Sequence, residues 1–368
     1  MQKIIKALAA VVLCVSLGLS TPLSKSKIIN LEDCAVVKSV GLEDAGGIDE
    51  IAFVESLVND ASSAQKQSVI AAKDKNFADA MRKAQILADK YLTFSFVNDY
   101  IIGMPTAKKG ISSCLDFISC SKKAQLSSFV YFSESDARSL LEDISKDVTS
   151  TDEVLLNLNN SGSDYGYYYP VTVTDLLCSD TMGESAVPII GQKTDGENTA
   201  KKSVIVFKGY AIIKNMKAVY TIDKRQSRAY NILNNKLKKS FVDVLGNVVK
   251  INKAHCKYSF NIAGNRLLGA AIDIDLSMGI DSVSGANLNN EKIADFLRVS
   301  AEKELTSEIE ELLKTAHSNN SDILNLGSKI RARTGKAVSA DFRAVEYCVR
   351  INSRFCADYN FRKGLADK

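Results

Sequence analysis

The chain is 368 residues long, 46% hydrophobic and 24% charged, which separates it from disordered and fibrous sequences and leaves room for two or three folded domains. Its formal charge is +4, and the N-terminal segment holding Lys3 and Lys6 carries no acid, so the rest stands at 4 − 2 = +2. That balance, with lysines scattered along the chain, gives no basic stripe and excludes a nucleic-acid surface.

Residues 1–20 read as an export signal: Lys3 and Lys6 precede the apolar run Ala7 to Leu19, and Gly18 and Ser20 fit a small-x-small cleavage site. Even from Ile4 the run is only about 16 residues, against the roughly 20 a spanning helix needs. Residues 21–27 read as a tether. Charged residues interrupt every later apolar stretch.

The region 28–154 reads as an α/β domain in the order β-β-α-β-α-β-α. Its elements are Cys34 to Glu43, Ile51 to Val58, a helix over Phe77 to Lys90, one strand over Leu92 to Ile102, a helix through Leu115, Phe117 and Ile118, a strand over Ser127 to Phe132 and a helix over Asp136 to Ile144. Asn, Ser, Gly and Asp dominate 155–166, which marks a linker. A middle domain with a hairpin follows over 167–240. In it, Tyr165-Gly166-Tyr167-Tyr168-Tyr169-Pro170 lacks a nearby polar pocket and is expected to pack a corner between domains. Thr174 to Cys178 is a short helix and Pro188-Ile189-Ile190 a rigid edge. Val204 to Phe207 and Gly209 to Ile213 are strand, Lys214 to Lys217 is the turn, Ala218 to Ile222 returns, and Asp223 starts a helix through Leu233.

The segment 241–368 reads as a sheet with one long helix. Alternation from Phe241 to Ile262 leads to Ile272 through Met278, and Val345 through Ile351 alternates again. Between them, Asn290 to Ala316 places Ile293, Phe296, Leu297, Ala301, Leu305, Ile309, Leu312, Leu313 and Ala316 on one stripe, with Asn290 as N-cap. This predicts a helix lying on one face of a mainly antiparallel sheet. The fold class is α+β (mixed α/β), elongated, with two or three domains that each pair a mixed or antiparallel sheet with packed helices.

Chemistry-bearing patterns are sparse. His255 and His317 have no nucleophile elbow nearby, and Asp44-Ala45-Gly46-Gly47 lacks the frame of a phosphate loop. Outside the signal stand seven cysteines: Cys34, Cys114, Cys120, Cys178, Cys256, Cys348 and Cys356. An odd number opposes a complete disulfide framework, although Cys348 and Cys356 are spaced for one bridge, and no zinc-type spacing occurs. Asp273 and Asp275 share one strand face, suited to a carboxylate pair or calcium and more ordinarily to a solvated face. No catalytic residue, metal ligand or cofactor site is expected.

Four stretches together resemble the Ger(x)C family, the C subunits of spore germinant receptors. They are Asp33 to Glu43; Val97-Asn98-Asp99-Tyr100-Ile101-Ile102-Gly103 continuing through Leu115-Asp116-Phe117-Ile118; Pro188-Ile189-Ile190 with Gly209 to Val219 and Ser227-Arg228-Ala229; and the long helix with its closing strand. The resemblance implies an elongated protein of three mixed domains on the outer face of the inner spore membrane. It further implies contacts with A and B type integral membrane subunits in nutrient-triggered germination, and no catalytic residue. The family usually matures at a lipobox cysteine followed by Trp and Asp, whereas here the corresponding stretch is Pro22-Leu23-Ser24-Lys25-Ser26-Lys27. Cys14 is the upstream cysteine left for lipid attachment, with Leu13 where processing needs a small residue. The alternative, an exported solute- or peptide-binding protein, requires two similar lobes, and the sequence shows no internal duplication.

Overall fold

The computed structural model describes residues 33–44, 46–57, 67–121, 124–147, 151–194, 203–282 and 291–355. Strands β1 (Cys34–Asp44), β2 (Asp49–Leu57) and β3 (Gln67–Asp74) form an antiparallel meander, followed by helix α1 (Phe77–Leu87). Asn76 caps α1 by accepting the Asp79 N–H at 2.8 Å. Then come β4 (Tyr91–Thr93), β5 (Asp99–Gly103), α2 (Met104–Lys109), α3 (Ser112–Cys120), β6 (Phe129–Ser133), α4 (Ala137–Asp147), α5 (Thr151–Tyr165), α6 (Val173–Met182), β7 (Ser185–Thr194), β8 (Ser203–Lys214) and β9 (Lys217–Ile222). All these strands join one sheet, ordered β3-β2-β1-β5-β6-β7-β8-β9, with β4 beside the start of β1.

Four expectations change here. Strand β3 was not foreseen, because Lys73, Asp74 and Gln67 dilute its short apolar run. The single strand expected over Leu92 to Ile102 is two strands separated by a tight turn, in which the Val97 N–H reaches the Phe94 carbonyl at 3.4 Å. Pro188 lies in β7, between β6 and β8 and not at an edge. It precedes Ile189 and Ile190, which are the β7 residues that pair with β6. The stretch 155–166 expected as a linker is mostly α5, anchored by fully buried Leu155, and the nine-stranded sheet takes strands from both sides of it.

The sheet is covered on both faces. Ala80, Ala107, Ile111, Ile118, Val173 and Leu176, from α1, α2, α3, α6 and the turn before α3, pack on one face over Leu42, Phe53, Ile102 and Phe132. On the other, Leu140, Leu141 and Leu155 from α4 and α5 cover Val54, Ile101, Tyr131 and Tyr210. At the end of β1, buried Glu43 accepts the Ala137 N–H that opens α4 at 2.6 Å and the Thr106 hydroxyl at 2.8 Å. Two donors make this carboxylate tolerable without a cation, although burial still raises its pKa. At the β8–β9 hairpin, Asn215 and Met216 have φ of 51° and 58°, the pair of left-handed residues a type I′ turn requires.

The C-terminal part begins with α7 (Lys224–Leu233), opened by a capping box in which Asp223 accepts the Gln226 N–H at 2.9 Å. Strands β10 (Ser240–Val244), β11 (Asn247–Ala263) and β12 (Arg266–Ser282) are antiparallel neighbours. Helix α8 (Glu291–Ser318) and α9 (Leu326–Thr334) then carry the chain back so that β13 (Glu346–Phe355) pairs with β12 in parallel. A crossover of this length permits the parallel pairing that a short turn forbids. The expected helix on a mainly antiparallel sheet is present: Leu297, Ala301, Leu305, Ile309 and Leu312 are buried against it. Phe296 is the exception, 54% exposed beside the stripe, and Asn290 lies outside the described residues. This second core is continuous with one face of the first sheet.

Ahead of α9, Asp322 accepts the Leu326 and Gly327 N–H groups at 2.7 and 2.9 Å, and burial pushes its pKa up to about 6 from 3.8. The folded carboxyl therefore holds its proton more tightly than the unfolded one. Its contribution to stability is complete below about pH 4 and is lost as pH rises through about 6, by at most about 3 kcal/mol. Urea unfolding of Asp322→Asn between pH 4 and 7 is expected to show a flatter pH dependence than the wild type; an unchanged slope would refute this assignment.

Candidate functional site

Asp273 and Asp275 stand on the side of β12 that α8 does not cover. Arg350 on β13 donates to Asp273 at 2.9 Å, and Lys257 on β11 to Asp275 at 3.1 Å. Asn352 reaches Asp275 at 3.5 Å, so the acids form cross-strand rungs with basic and polar neighbours. The Lys257 contact holds the Asp275 carboxyl below the usual carboxylate range, the opposite of what a general acid requires. Exposed His255 neighbours Asp275 across the strands, while His317 lies at the far end of α8. A shallow cavity of about 430 Å³ includes His255 and Asp275 but also Lys253, Asn352 and Arg354. Exposed and screened, these pairs contribute little to folding. Asp273→Asn with Asp275→Asn is accordingly expected to leave the unfolding midpoint unchanged; loss of folding would show that the face is structural.

The tyrosine cluster packs a corner, as its sequence suggested. Tyr168 stacks edge-on to Phe207 at 5.4 Å, the Tyr169 N–H donates to the Tyr210 hydroxyl at 2.6 Å, and Tyr165 lies 5.7 Å from Phe241. Beside it runs a polar seam between α7 and α8. Buried Arg228 donates through Nε to Glu308 Oε2 at 2.8 Å and through Nη2 to Oε1. Its Nη1 serves the Phe241 carbonyl at 2.6 Å and the Tyr167 hydroxyl at 3.3 Å. Burial pushes the Glu308 carboxyl up while Arg228 pulls it down. Next to this pair, Arg225 bridges Glu304 and Glu308, and Gln226 donates to Thr315 at 2.9 Å. A second seam ties β7 to the loop after α8: buried Glu184 binds the Ser321 hydroxyl and, at 3.0 Å, Lys214. Asn325 bonds both backbone groups of Glu184, at 3.0 and 2.9 Å. The two sheets are thus joined by hydrogen bonds and ion pairs as well as by a shared core.

A concavity of about 820 Å³ lies between α1 and α3, with Met81, Leu92, Phe94 and Phe117 among its walls and Arg82 and Asp116 as charged members. Its walls offer contact area and no converging set of catalytic groups. Among the described residues, no cluster of three or more His, Cys, Asp or Glu side chains is arranged to hold a metal ion. No described helix is long and apolar enough to cross a membrane. Among the described residues Cys114, Cys120, Cys256 and Cys348 are free thiols, and burial raises the Cys114 and Cys256 pKa values. Cys14 and Cys356 lie outside the described residues.

Sequence reasoning missed the buried acids Glu43, Glu184 and Glu308. For Glu308 a signal existed: it falls three residues after Leu305 and four before Leu312, inside the apolar rhythm. An acid in that stripe calls for a buried cation.

A nine-stranded mixed sheet flanked by helices thus shares a core with a smaller four-stranded sheet. The comparisons identify the family. Residues 27–192 match the spore germination protein N-terminal domain, and residues 208–349 match the spore germination B3/GerAC like C-terminal domain. The chain belongs to the Ger(x)C family of spore germinant receptor C subunits. The crystal structure of the GerBC protein is similar over 86% of this chain and 96% of its own, with a TM-score of 0.53 at 10% identity. No curated protein matches the chain.

Proposed function

We propose that this chain is the C-type subunit of a nutrient germinant receptor, held at the outer face of the inner spore membrane and acting without catalysis through contacts with A and B type integral subunits. The observation that carries this reading is the ordered pair of family matches over 27–192 and 208–349. The site chemistry supports it, because the acids best placed for catalysis by sequence are engaged in cross-strand pairs with Lys257 and Arg350. The solute-binding alternative is weaker: one sheet has nine strands and the other four, so they do not form matching lobes around a cleft. The test is a pull-down from dormant-spore membranes with mass spectrometry of the co-purifying proteins. Polytopic receptor subunits are expected; their absence would overturn the proposal. N-terminal sequencing of the exported form decides between acylated Cys14, a terminus at Thr21 and an uncleaved signal.

A further inference from the structure

Several exposed large apolar side chains share one rim of the nine-stranded sheet. Strands β1, β5 and β6 are parallel, so their N-terminal ends lie on the same edge. Strand β4 enters at that edge, with Tyr91 opposite Cys34, the first residue of β1. Helix α1 ends in Ile86 and Leu87, 83% and 59% exposed, and four residues later the chain reaches Tyr91, itself 41% exposed. The turn before β5 carries Phe96, 54% exposed, and the loop before β6 carries Leu126, 43% exposed. That loop and turn are fastened together, since Gln125 donates to the Ser95 carbonyl at 2.7 Å and Ser128 to the Val97 carbonyl at 2.5 Å. The rim is therefore built on tied loops and a helix end.

We propose that this rim is a docking surface for a phospholipid bilayer, an inference that rests on the membrane-side reading of the receptor subunit. The degree of protrusion favours lipid over a protein partner. Ile86 and Leu87 are 83% and 59% exposed outside the lining of the α1–α3 concavity, and a fluid interface accepts protruding aliphatic and aromatic side chains without a complementary pocket. Continuity points the same way. The residues that precede Asp33 join the fold at this edge, and only 14 residues, 20–33, separate Cys34 from the apolar run Ala7 to Leu19. An anchor in the retained apolar run keeps this rim within about 50 Å of the bilayer, the extended reach of 14 residues. Such a surface supplies the second attachment that a single weak anchor needs for lasting binding.

The chain contains no tryptophan, so one introduced indole reports its own surroundings. Full-length Phe96→Trp is mixed with vesicles of equal parts phosphatidylglycerol and phosphatidylethanolamine, and Leu245→Trp, 82% exposed at the β10–β11 turn, is the reference. A blue shift and protection from acrylamide are expected for Phe96→Trp and not for Leu245→Trp. Adding Ile86→Asp and Leu87→Asp to Phe96→Trp is expected to abolish the shift, with the circular dichroism melt unchanged because both side chains are exposed. If the chain floats with vesicles while Trp at 96 stays water-exposed, the N-terminal segment alone anchors it and the rim proposal fails. A shift that needs purified receptor subunits makes the rim a protein interface and also overturns it. Neither result alters the pull-down outcome on which the receptor reading depends.

Discussion

Glu308→Ala is expected to destabilise the protein by on the order of 3–5 kcal/mol, because it leaves the Arg228 guanidinium buried without its counter-charge. Glu308 is fully buried and Arg228 is 4% exposed, so water cannot substitute for the lost partner. The Phe241 carbonyl and the Tyr167 hydroxyl still accept from Nη1, which limits the loss but leaves Nε and Nη2 without acceptors. Arg228→Ala should cost a similar amount, now by stranding the carboxylate. The double replacement Arg228→Met with Glu308→Leu should recover most of the loss, since it removes both desolvated charges and keeps apolar volume between α7 and α8. Urea denaturation of the wild type, Arg228→Met, Glu308→Leu and the double replacement closes a double-mutant cycle. Additive single-variant effects would show that the pair is not coupled and would remove this seam from the account.

Gly209→Ala is expected to be nearly as severe, on the order of 4 kcal/mol, through backbone geometry and not charge. Gly209 has φ of +145° and sits where the pairing of β8 with β7 slips by one residue. A Cβ there would stand 2.0 Å from the Ile222 carbonyl oxygen, a main-chain atom that cannot turn aside. Relief would require separating β8 from β9, exposing Ile212 and Ile222. Gly264→Ala is the matched comparison: its φ is +60° but nothing lies within 4 Å of the added carbon, so only the left-handed strain of about 1 kcal/mol applies. Equal losses in the two variants would mean that strain alone, without the collision, accounts for the effect.

Both variants act where the N-terminal and C-terminal halves of the chain meet. Helix α7 follows β9 directly, so displacing β9 moves the capping residue Asp223 and the Arg228 seam after it. Through the Arg228 and Glu184 seams, a disturbance at either sheet is carried to the other as a repacking of polar contacts.

The primary structure by itself determined the elements whose physics is local. The three-and-four rhythm of α8, the alternation in β12 and β13, the Asn215-Met216 turn and the Asp223 capping box each depend on neighbours within a few residues. The family resemblance was legible for a related reason, since four short local patterns occur in the right order. Tertiary structure alone decided what depends on distant partners. The polar stretch 155–166 became a helix because Leu155, Asn159 and Tyr168 found a sheet to pack on, with the hydroxyls of Tyr131 and Tyr168 both donating to Asn159. Glu308 and Arg228 are tolerable in the interior only as a pair, separated by 80 positions in the chain. The exposed apolar rim is likewise invisible in one dimension. Its residues come from a helix end, a turn and a loop, and only the parallel order of β1, β5 and β6 places them on one edge. Burial and charge pairing are properties of the assembled sheet, and no window of sequence contains them.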